Sequence, residues 1–180
     1  MPLVILDRDG VINHDSPDYI KTPDEWQPID GSLEAMSHLN QAGYNLAIAS
    51  NQAGVARGIF SEADLAAIHA KMLACFAEHN IVLTDIAYCQ DGPDSNSTHR
   101  KPAPGMLLDI MQNTGTVAAD TTFIGDKYSD YEAAHKAGCH FVLVKTGNGE
   151  KTLSDHPELC QSAKVYATLA DFANDMLSHE

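Results

Sequence analysis

The 180-residue sequence has few cysteines and few basic side chains. Its four cysteines, Cys75, Cys89, Cys139 and Cys160, form neither a CxxC pair nor a compact framework. Disulfides are therefore not expected to organise a chain of this length, which favours a reducing compartment. Eleven Lys and Arg stand against 25 Asp and Glu, giving a net charge of −14. This charge repels phosphate backbones and anionic membranes, so neither nucleic acid nor a membrane is expected as a partner.

Long apolar runs, internal repeats and low-complexity tracts are also missing. No stretch approaches the roughly 20 apolar residues of a transmembrane helix. The amino terminus runs directly into an apolar segment without a charged leader, so we expect a cytoplasmic protein. The length and the hydrophobic content of 44% fit one globular domain over residues 1–180. We expect that domain to be a monomer.

The segment around which the chain is organised is its beginning. Leu3–Leu6 is a run of four apolar residues without alternation, which predicts a strand buried on both faces of a parallel sheet. Asp7 follows the run, and a second acid, Asp9, stands two residues later. Ligands bind at the carboxyl ends of strands in open α/β sheets, so both carboxylates could face one reacting atom. Alone, such a pair is equally typical of a helix cap or of a metal site without turnover.

Further apolar strands alternate with helical patterns along the chain. The predicted strands cover residues 46–49, 86–89, 122–124 and 141–144. Helices are predicted after an N-cap at Asp30, after a capping box at Ser61 and Asp64, and around residues 106–111, 131–137 and 169–177. This alternation predicts right-handed βαβ units and a Rossmann-like, doubly wound parallel sheet in a three-layer α/β fold.

Polar side chains follow these strands at one edge of the predicted sheet. Ser50 follows the second strand, Asp126 follows the fourth, and Lys101 comes from the loop after the third. Singly, Ser50 could be a helix cap and Lys101 a solvated surface charge. Together with the first acidic pair they indicate a catalytic site.

This set of groups suits phosphoryl transfer, which needs an in-line nucleophile, neutralised phosphoryl oxygens and a proton for the leaving group. Asp7 can form an aspartyl phosphate, and Asp9 can protonate the leaving alkoxide and then activate water. The acids and the phosphate would repel each other without a cation, and oxygen ligands favour Mg²⁺. We predict a Mg²⁺ site formed by Asp7, Asp9 and Asp126 with a backbone carbonyl. Ser50 and Lys101 would hold the other phosphoryl oxygens.

Four segments resemble, in order, the motifs of the haloacid-dehalogenase-like (HAD-like) phosphatases: Asp7-Arg8-Asp9-Gly10-Val11, Ser50-Asn51-Gln52, Lys101-Pro102 and Gly125-Asp126-Lys127. The resemblance spans most of the chain and implies a Rossmann-like fold, Mg²⁺ dependence and the aspartyl-phosphate mechanism. The acid at Asp9 favours a phosphatase, since the dehalogenases lack it. Only about forty residues separate Asp9 from Ser50, so no cap domain fits there and loops around an open pocket must determine specificity.

Finer patterns over residues 50–58 and 100–106 are similar to the D-glycero-D-manno-heptose 1,7-bisphosphate phosphatases, whose close relatives are the histidinol-phosphate phosphatases. The resemblance implies hydrolysis of the 7-phosphate of the heptose bisphosphate, in the supply of activated heptose for bacterial lipopolysaccharide. It also implies substrate contacts from Asp15, Asp18, Asn51, Gln52, Arg100 and Lys127. Arg57 is a further candidate, because a guanidinium suits bidentate phosphate binding; its alternative role is loop packing.

One loop departs from this family. Many members hold a structural zinc with cysteines and a histidine before the Arg-Lys-Pro segment. The matching positions here are Cys89, Asp91, Ser97 and His99, a poor set for tetrahedral zinc. We therefore expect Mg²⁺ and no zinc.

Other functions share part of the pattern. A histidinol-phosphate phosphatase or another small sugar-phosphate phosphatase is the nearest alternative enzyme. A polynucleotide 3′-phosphatase has the same catalytic plan, but the net charge disfavours a DNA substrate. A phospho-accepting receiver domain places its acceptor in the middle of the chain and lacks a proton donor two residues later. A silent sugar-binding relative is hard to reconcile with the intact set of acids and lysine.

Overall fold

The structure is a computed structural model, and it describes residues 1–178. Six strands form one sheet: β1 (Leu3–Leu6), β2 (Asn45–Asn51), β3 (Leu83–Cys89), β4 (Thr121–Gly125), β5 (His140–Val144) and β6 (Lys164–Tyr166). All neighbouring strands are parallel, in the order β3-β2-β1-β4-β5-β6. This is the strand order of a doubly wound sheet, in which ligands bind where the order reverses, between β1 and β4.

Seven α-helices connect and cover the strands: α1 (Ser32–Gln41), α2 (Glu62–Glu78), α3 (Gly105–Thr114), α4 (Tyr128–Ala137), α5 (Gly149–Asp155), α6 (Leu159–Ser162) and α7 (Leu169–Ser178). Short 3₁₀ turns lie at Pro23–Glu25 and Ala118–Asp120. In the part of the chain that the structure describes, no helix combines the length and the apolar character needed to cross a membrane.

β1 lies in the middle of the sheet, as its unbroken apolar run predicts. Leu6 pairs with Ile48 on one side and Ile124 on the other. Alternate β1 residues enter two cores: Val4 and Leu6 pack with residues of α1, α2 and α7, whereas Leu3 and Ile5 pack with residues of α3 and α4. The predicted three-layer α/β fold is confirmed.

The α2 helix follows the local signals of its sequence. The Ser61 side chain accepts from the backbone N–H of Asp64, and the Asp64 carboxylate accepts from the backbone N–H of Ser61. These reciprocal bonds satisfy donors that the first helical turn leaves unpaired. The apolar residues predicted to form the inner face are all buried: Leu65, Ile68, Met72 and Phe76.

The structure differs from the local predictions at several points, including α5 and α6, which were not predicted; three of the differences have a clear physical reason. The α1 helix is not capped by Asp30; its N-cap is Gly31, whose φ of +80° is a left-handed conformation that glycine adopts without strain. β3 begins at Leu83 rather than at residue 86, because its polar residues Thr84 and Asp85 break the apolar pattern that the prediction used. β6 was missed because it has only three residues, and the signal of so short an edge strand is weak.

The absence of a cap domain agrees with the prediction. Between Asp9 and Ser50 the chain forms only a loop, the Pro23–Glu25 turn, α1 and most of β2. The carboxyl ends of the central strands are therefore covered by loops alone.

Candidate active site

A pocket of about 850 Å³ opens at the carboxyl ends of β1, β2 and β4. Most of the predicted site residues line it: Asp7, Asp9, Asp15, Asn51, Gln52, Arg57, Arg100, Lys101 and Lys127. Ser50 and Asp126 are buried at the same strand ends, whereas Asp18 is exposed and does not line the pocket. The structure thus brings together side chains that are more than 100 residues apart in the sequence.

Lys101 lies at the centre of a buried ion-pair network. Its Nζ is 2.9 Å from Asp7 Oδ1 and 2.8 Å from Asp130 Oδ1, and it donates to the carbonyl of Ala49 at 2.9 Å. Burial alone would lower the pKa of Lys101, but Asp130 and Asp7 raise it above the ordinary value. The ammonium is therefore charged beside the carboxylate proposed as nucleophile.

Asn51 fixes the segment that carries Lys101. Its Nδ2 donates to the backbone carbonyl of Lys101 at 3.0 Å, and its Oδ1 accepts from the backbone N–H of Lys101 at 3.0 Å. These two bonds tie the end of β2 to the loop that follows β3. Both ends of the Asn51 amide thus have protein partners, although the resemblance implies a substrate contact for this residue.

Three buried carboxylates meet beside this lysine. Asp7, Asp126 and Asp130 each offer an oxygen, and these three oxygens lie within 4.8 Å of one another. Burial raises the pKa of Asp7 to about 6 and that of Asp126 to about 7, with further upward effects from the neighbouring acids and partial relief from Lys101 and Lys127. Asp126 Oδ1 is buried and has no hydrogen-bond partner. An oxygen-only set with a free buried carboxylate oxygen fits a hard divalent cation such as Mg²⁺.

Asp130 is the member of this cluster that the sequence prediction missed. It lies in the first turn of α4, where its Oδ2 accepts from the backbone N–H groups of Asp126 and Lys127 at 3.2 and 3.0 Å. An acid at this helical position is ordinarily interpreted as a cap. The signal that could have identified it is the four-residue spacing from Asp126, which turns both carboxylates toward the same strand end.

Two glycines make room for the Asp126 carboxylate. A Cβ on Gly10 would lie 2.3 Å from Asp126 Oδ2, and a Cβ on Gly147 would lie 2.4 Å from the same atom. Both glycines have positive φ, +89° and +59°. Thr146 adds a hydrogen bond from its Oγ1 to the carbonyl of Gly10 at 2.6 Å. The loops after β1 and β5 therefore close tightly around the acid that follows β4.

The carboxylate of Asp9 is held by three neighbouring side chains. Arg8 donates to it through Nε and Nη2 at 2.9 and 3.0 Å, and Asn13 Nδ2 and Gln52 Nε2 each donate at 2.9 Å. Burial raises the pKa of Asp9, but the Arg8 guanidinium and these hydrogen bonds outweigh it and hold the pKa below its usual range. Asp9 lines the pocket with Asp7, while its carboxylate is not part of the three-acid cluster found among the described residues.

Three further cationic side chains at the pocket have polar protein partners. Lys127 Nζ is 3.0 Å from Asp15 Oδ2, Arg57 Nη1 donates to the hydroxyl of Tyr19 at 2.7 Å, and Arg100 Nη1 donates to the carbonyl of Asp91 at 2.9 Å. These contacts hold the cations at the pocket wall, where a phosphorylated ligand could exchange for them.

Asn148 is a second residue that the sequence prediction missed. Its Nδ2 donates to Asp15 Oδ2 at 2.8 Å and to Asp126 Oδ2 at 3.1 Å, and its backbone N–H donates to Asp126 Oδ2 at 2.7 Å. Asn148 therefore connects the three-acid cluster to Asp15, a predicted substrate contact. No local pattern in the sequence marks it.

The loop compared with a zinc loop has its own contacts. Cys89 Sγ lies 3.4 Å from Asp91 Oδ2 and 3.6 Å from Ser97 Oγ. The imidazole of His99 pairs with Asp109 instead, at 2.8 Å. The four matched side chains thus do not converge on one point.

Comparison with known proteins gives the same family by sequence and by structure. The model of the HAD-hydrolase-like family matches residues 98–172. The D-glycero-β-D-manno-heptose-1,7-bisphosphate 7-phosphatase of Pseudomonas aeruginosa is 46% identical over 175 residues, which cover 97% of this chain and 97% of that protein. The enzyme of the same name from Pseudomonas putida is 44% identical over 177 residues, covering 98% of this chain and 100% of that protein.

Solved structures give a consistent picture. A D,D-heptose 1,7-bisphosphate phosphatase from B. bronchiseptica, solved with magnesium and phosphate, matches with a TM-score of 0.95 and 43% identity over 100% of both chains. A second D,D-heptose 1,7-bisphosphate phosphatase, from Burkholderia thailandensis, matches with a TM-score of 0.77 and 37% identity over 99% of both chains. On this near-complete coverage, the chain belongs to the heptose bisphosphate phosphatase family of the HAD-like hydrolases.

Proposed function

We propose that this protein is a Mg²⁺-dependent phosphatase that hydrolyses the 7-phosphate of D-glycero-D-manno-heptose 1,7-bisphosphate. It would act in the cytoplasm as a monomer, with one domain over residues 1–180, and would supply activated heptose for lipopolysaccharide. The observation that carries the proposal is the contact of Lys101 with Asp7 beside a second and third buried acid, in a chain 46% identical to a phosphatase of that name.

Asp7 would be the nucleophile. A carboxylate oxygen of Asp7 attacks phosphorus as the bond from phosphorus to the sugar oxygen breaks. The pKa of Asp9 is depressed in the free protein, and the negative charge of the bound phosphate would raise it, so that Asp9 takes up a proton with the substrate and gives it to that oxygen. In the second step Asp9 takes a proton from water, which attacks the aspartyl phosphate and releases free Asp7 and inorganic phosphate. Lys101, 2.9 Å from Asp7 Oδ1, neutralises charge on the transferred group in both steps.

Asp7, Asp126 and Asp130 would hold Mg²⁺ when it is bound. The ion would supply charge neutralisation for the phosphoryl oxygens. The Ser50 hydroxyl, at the end of β2, would donate to another phosphoryl oxygen. This leaves Lys101 and Ser50 to orient the phosphoryl group for in-line attack by Asp7.

A bisphosphate fits the charge distribution of the pocket. The chain carries only eleven Lys and Arg, yet five of them line this pocket: Arg57, Arg100, Lys101, Lys127 and Lys136. Lys101 would bind the transferred phosphate, which leaves the guanidinium groups of Arg57 and Arg100 and the ammonium groups of Lys127 and Lys136 for a second phosphate. A monophosphate would leave these cations without an anionic partner from the ligand.

A substrate panel tests the proposal. The purified protein with Mg²⁺ is assayed for phosphate release from the heptose 1,7-bisphosphate, histidinol phosphate, another sugar bisphosphate and a 3′-phosphorylated oligonucleotide. We expect sustained release, with the highest kcat/KM on the heptose bisphosphate, and no turnover by Asp7→Asn. A higher kcat/KM on histidinol phosphate would reject the substrate assignment. Phosphate release limited to one equivalent per protein would reject an enzyme.

A further inference from the structure

The side-chain amide of Gln52 forms hydrogen bonds with three protein groups around the proposed catalytic pocket. Its Nε2 donates to Asp9 Oδ2 at 2.9 Å and to Ser50 Oγ at 2.9 Å, and its Oε1 accepts from Arg8 Nη2 at 3.1 Å. The side chain is buried, with 4% relative exposure. Both amide hydrogens are therefore used within the protein.

The chemistry of the partners fixes the orientation of this amide. An Arg guanidinium can only donate and a carboxylate can only accept. The carbonyl of Gln52 must therefore face Arg8, and its NH₂ group must face Asp9. The reversed orientation would set donor against donor and acceptor against acceptor, so the amide is locked.

The fixed orientation of the Gln52 amide determines which hydrogen bond the Ser50 hydroxyl can still form. Its Oγ accepts a hydrogen bond from Gln52, and among the residues of 1–178 it donates to no partner. A hydroxyl whose acceptor side is already engaged keeps its proton for another acceptor. Since Ser50 lies near the carboxyl end of β2, next to the pocket residues Asn51 and Gln52, that acceptor would be a phosphoryl oxygen of the substrate.

We propose that Gln52 is a positioning residue for the reaction, and that it does not bind the substrate as the resemblance implied. It turns the Ser50 proton toward the phosphoryl group and holds the Asp9 carboxylate at the strand end. This inference rests on the proposed phosphatase function. It assigns to Gln52 an effect on kcat through Ser50 and Asp9, with no contribution to substrate affinity.

Two variants separate these roles. Gln52→Met keeps the length of the side chain but removes its three hydrogen bonds; we expect kcat to fall about tenfold with KM within about twofold of wild type. Gln52→Glu keeps the acceptor for Arg8 but cannot donate to Ser50 or Asp9. Its carboxylate would accept a hydrogen bond from the Ser50 hydroxyl, which would turn that hydroxyl away from the substrate, and would repel the Asp9 carboxylate. We therefore expect kcat to fall about a hundredfold. The exposed Gln112→Met is the matched control, with unchanged kinetics.

Coupling to Ser50 is measured by a double-mutant cycle. If Gln52 acts through Ser50, the combined loss in Gln52→Met/Ser50→Ala is smaller than the product of the two single losses. Direct affinity comes from calorimetric titration of the bisphosphate into Asp7→Asn and Asp7→Asn/Gln52→Met, for which we expect equal Kd within about twofold. Circular dichroism and thermal unfolding verify that each variant is folded.

The results that would overturn the inference are distinct from failure of the proposed function. A tenfold rise in KM or Kd with kcat intact would make Gln52 a substrate ligand, and losses that multiply fully would remove the link to Ser50. Absence of wild-type turnover on the heptose bisphosphate would reject the proposed substrate instead. The same variants would then be compared on p-nitrophenyl phosphate, which still reports kcat and KM for the positioning role.

Discussion

Lys101 and Lys151 show how differently two lysine–carboxylate pairs of one protein can act. Lys101 has 2% side-chain exposure and serves two buried carboxylates, Asp7 and Asp130. Lys151 has 75% exposure and pairs with Asp155 on the exposed face of helix α5. Removing one partner of a buried pair leaves an uncompensated charge, whereas an exposed pair is screened by water.

We therefore expect Lys101→Met to lower the free energy of unfolding by about 3 kcal/mol, since Asp7 and Asp130 would remain buried without their cation. It should also reduce kcat by about a thousandfold. Urea unfolding and steady-state kinetics measure the two effects. Lys151→Met is the control and should leave the free energy of unfolding essentially unchanged; equal losses in the two variants would contradict the network described above.

Asn148 is a single residue that positions one member of the three-acid cluster. It orients Asp126 with two hydrogen bonds, from its backbone N–H and its Nδ2. Groups that orient a metal ligand typically affect metal affinity 10- to 100-fold. We expect Asn148→Ala to weaken Mg²⁺ binding about tenfold in calorimetric titrations. Asn113→Ala, which removes an exposed hydrogen bond to Asp85, should leave the Mg²⁺ affinity unchanged.

At the scale of elements, the site depends on how closely the loops after β1, β4 and β5 approach one another. Gly10 and Gly147 both lie against the Asp126 carboxylate, and a Cβ on Gly147 would come within 2.5 Å of the Gly10 Cα. Backbone this close leaves no space for a side chain at either position. The loops after β1 and β5 are therefore packed against each other behind the acid cluster.

Replacing Gly147 by alanine should force the loops after β1 and β5 apart. Gly147→Ala combines a left-handed φ of +59° with a clash against Gly10 and Asp126, so we expect a loss of about 3 kcal/mol in the free energy of unfolding together with weaker Mg²⁺ binding. Gly115→Ala has a similar φ of +67° but no atom within 4 Å of the new Cβ. It should cost only about 1 kcal/mol and leave Mg²⁺ binding unchanged. Equal effects of both variants, measured by urea unfolding and calorimetry, would rule out the steric explanation.

At the scale of the whole molecule, stability depends on keeping ionisable groups in their folded charge states. His69, on α2, packs its ring against Tyr88 of β3 with ring centroids 4.7 Å apart. Burial and the nearby Arg8 lower the pKa of His69 to about 4, against an opposing effect of Asp9. The imidazole is therefore neutral in the folded protein at neutral pH.

This depressed pKa predicts an acid-sensitive component of stability. Above pH 6.5 His69 is neutral in both the folded and the unfolded chain and contributes no pH dependence. As the pH falls from 6.5 toward 4, the unfolded chain binds a proton that the folded protein does not, and the free energy of unfolding decreases. Because the ring is partly exposed and its charge would be screened by water, we expect a decrease of about 1 kcal/mol at pH 5. In urea unfolding at constant Mg²⁺, His69→Gln should lose about 1 kcal/mol less than wild type between pH 7.5 and pH 5. Parallel pH curves for the two proteins would contradict the burial of His69 as a neutral ring.

The amino-acid pattern was sufficient to predict the architecture and the meeting of the proposed catalytic groups. Asp7 and Asp126 follow apolar strands, Ser50 lies near the end of another, and parallel strands connected by helices must all end at the same edge of the sheet. The local patterns were strong there: an unbroken apolar run at β1 and a capping box at α2. The likeness to the heptose bisphosphate phosphatases was also evident in short continuous segments.

The contacts that hold those groups became visible only in the folded protein. Asp130 reaches Lys101, Asn148 reaches Asp126, and Gln52 reaches Asp9, each across a distance of more than 20 residues in the chain. A local pattern records helix faces, strand ends and caps, because those depend on near neighbours. The partner of a buried amide or carboxylate depends on which loops the folded sheet brings within about 3 Å of it, and the sequence pattern does not contain that distance.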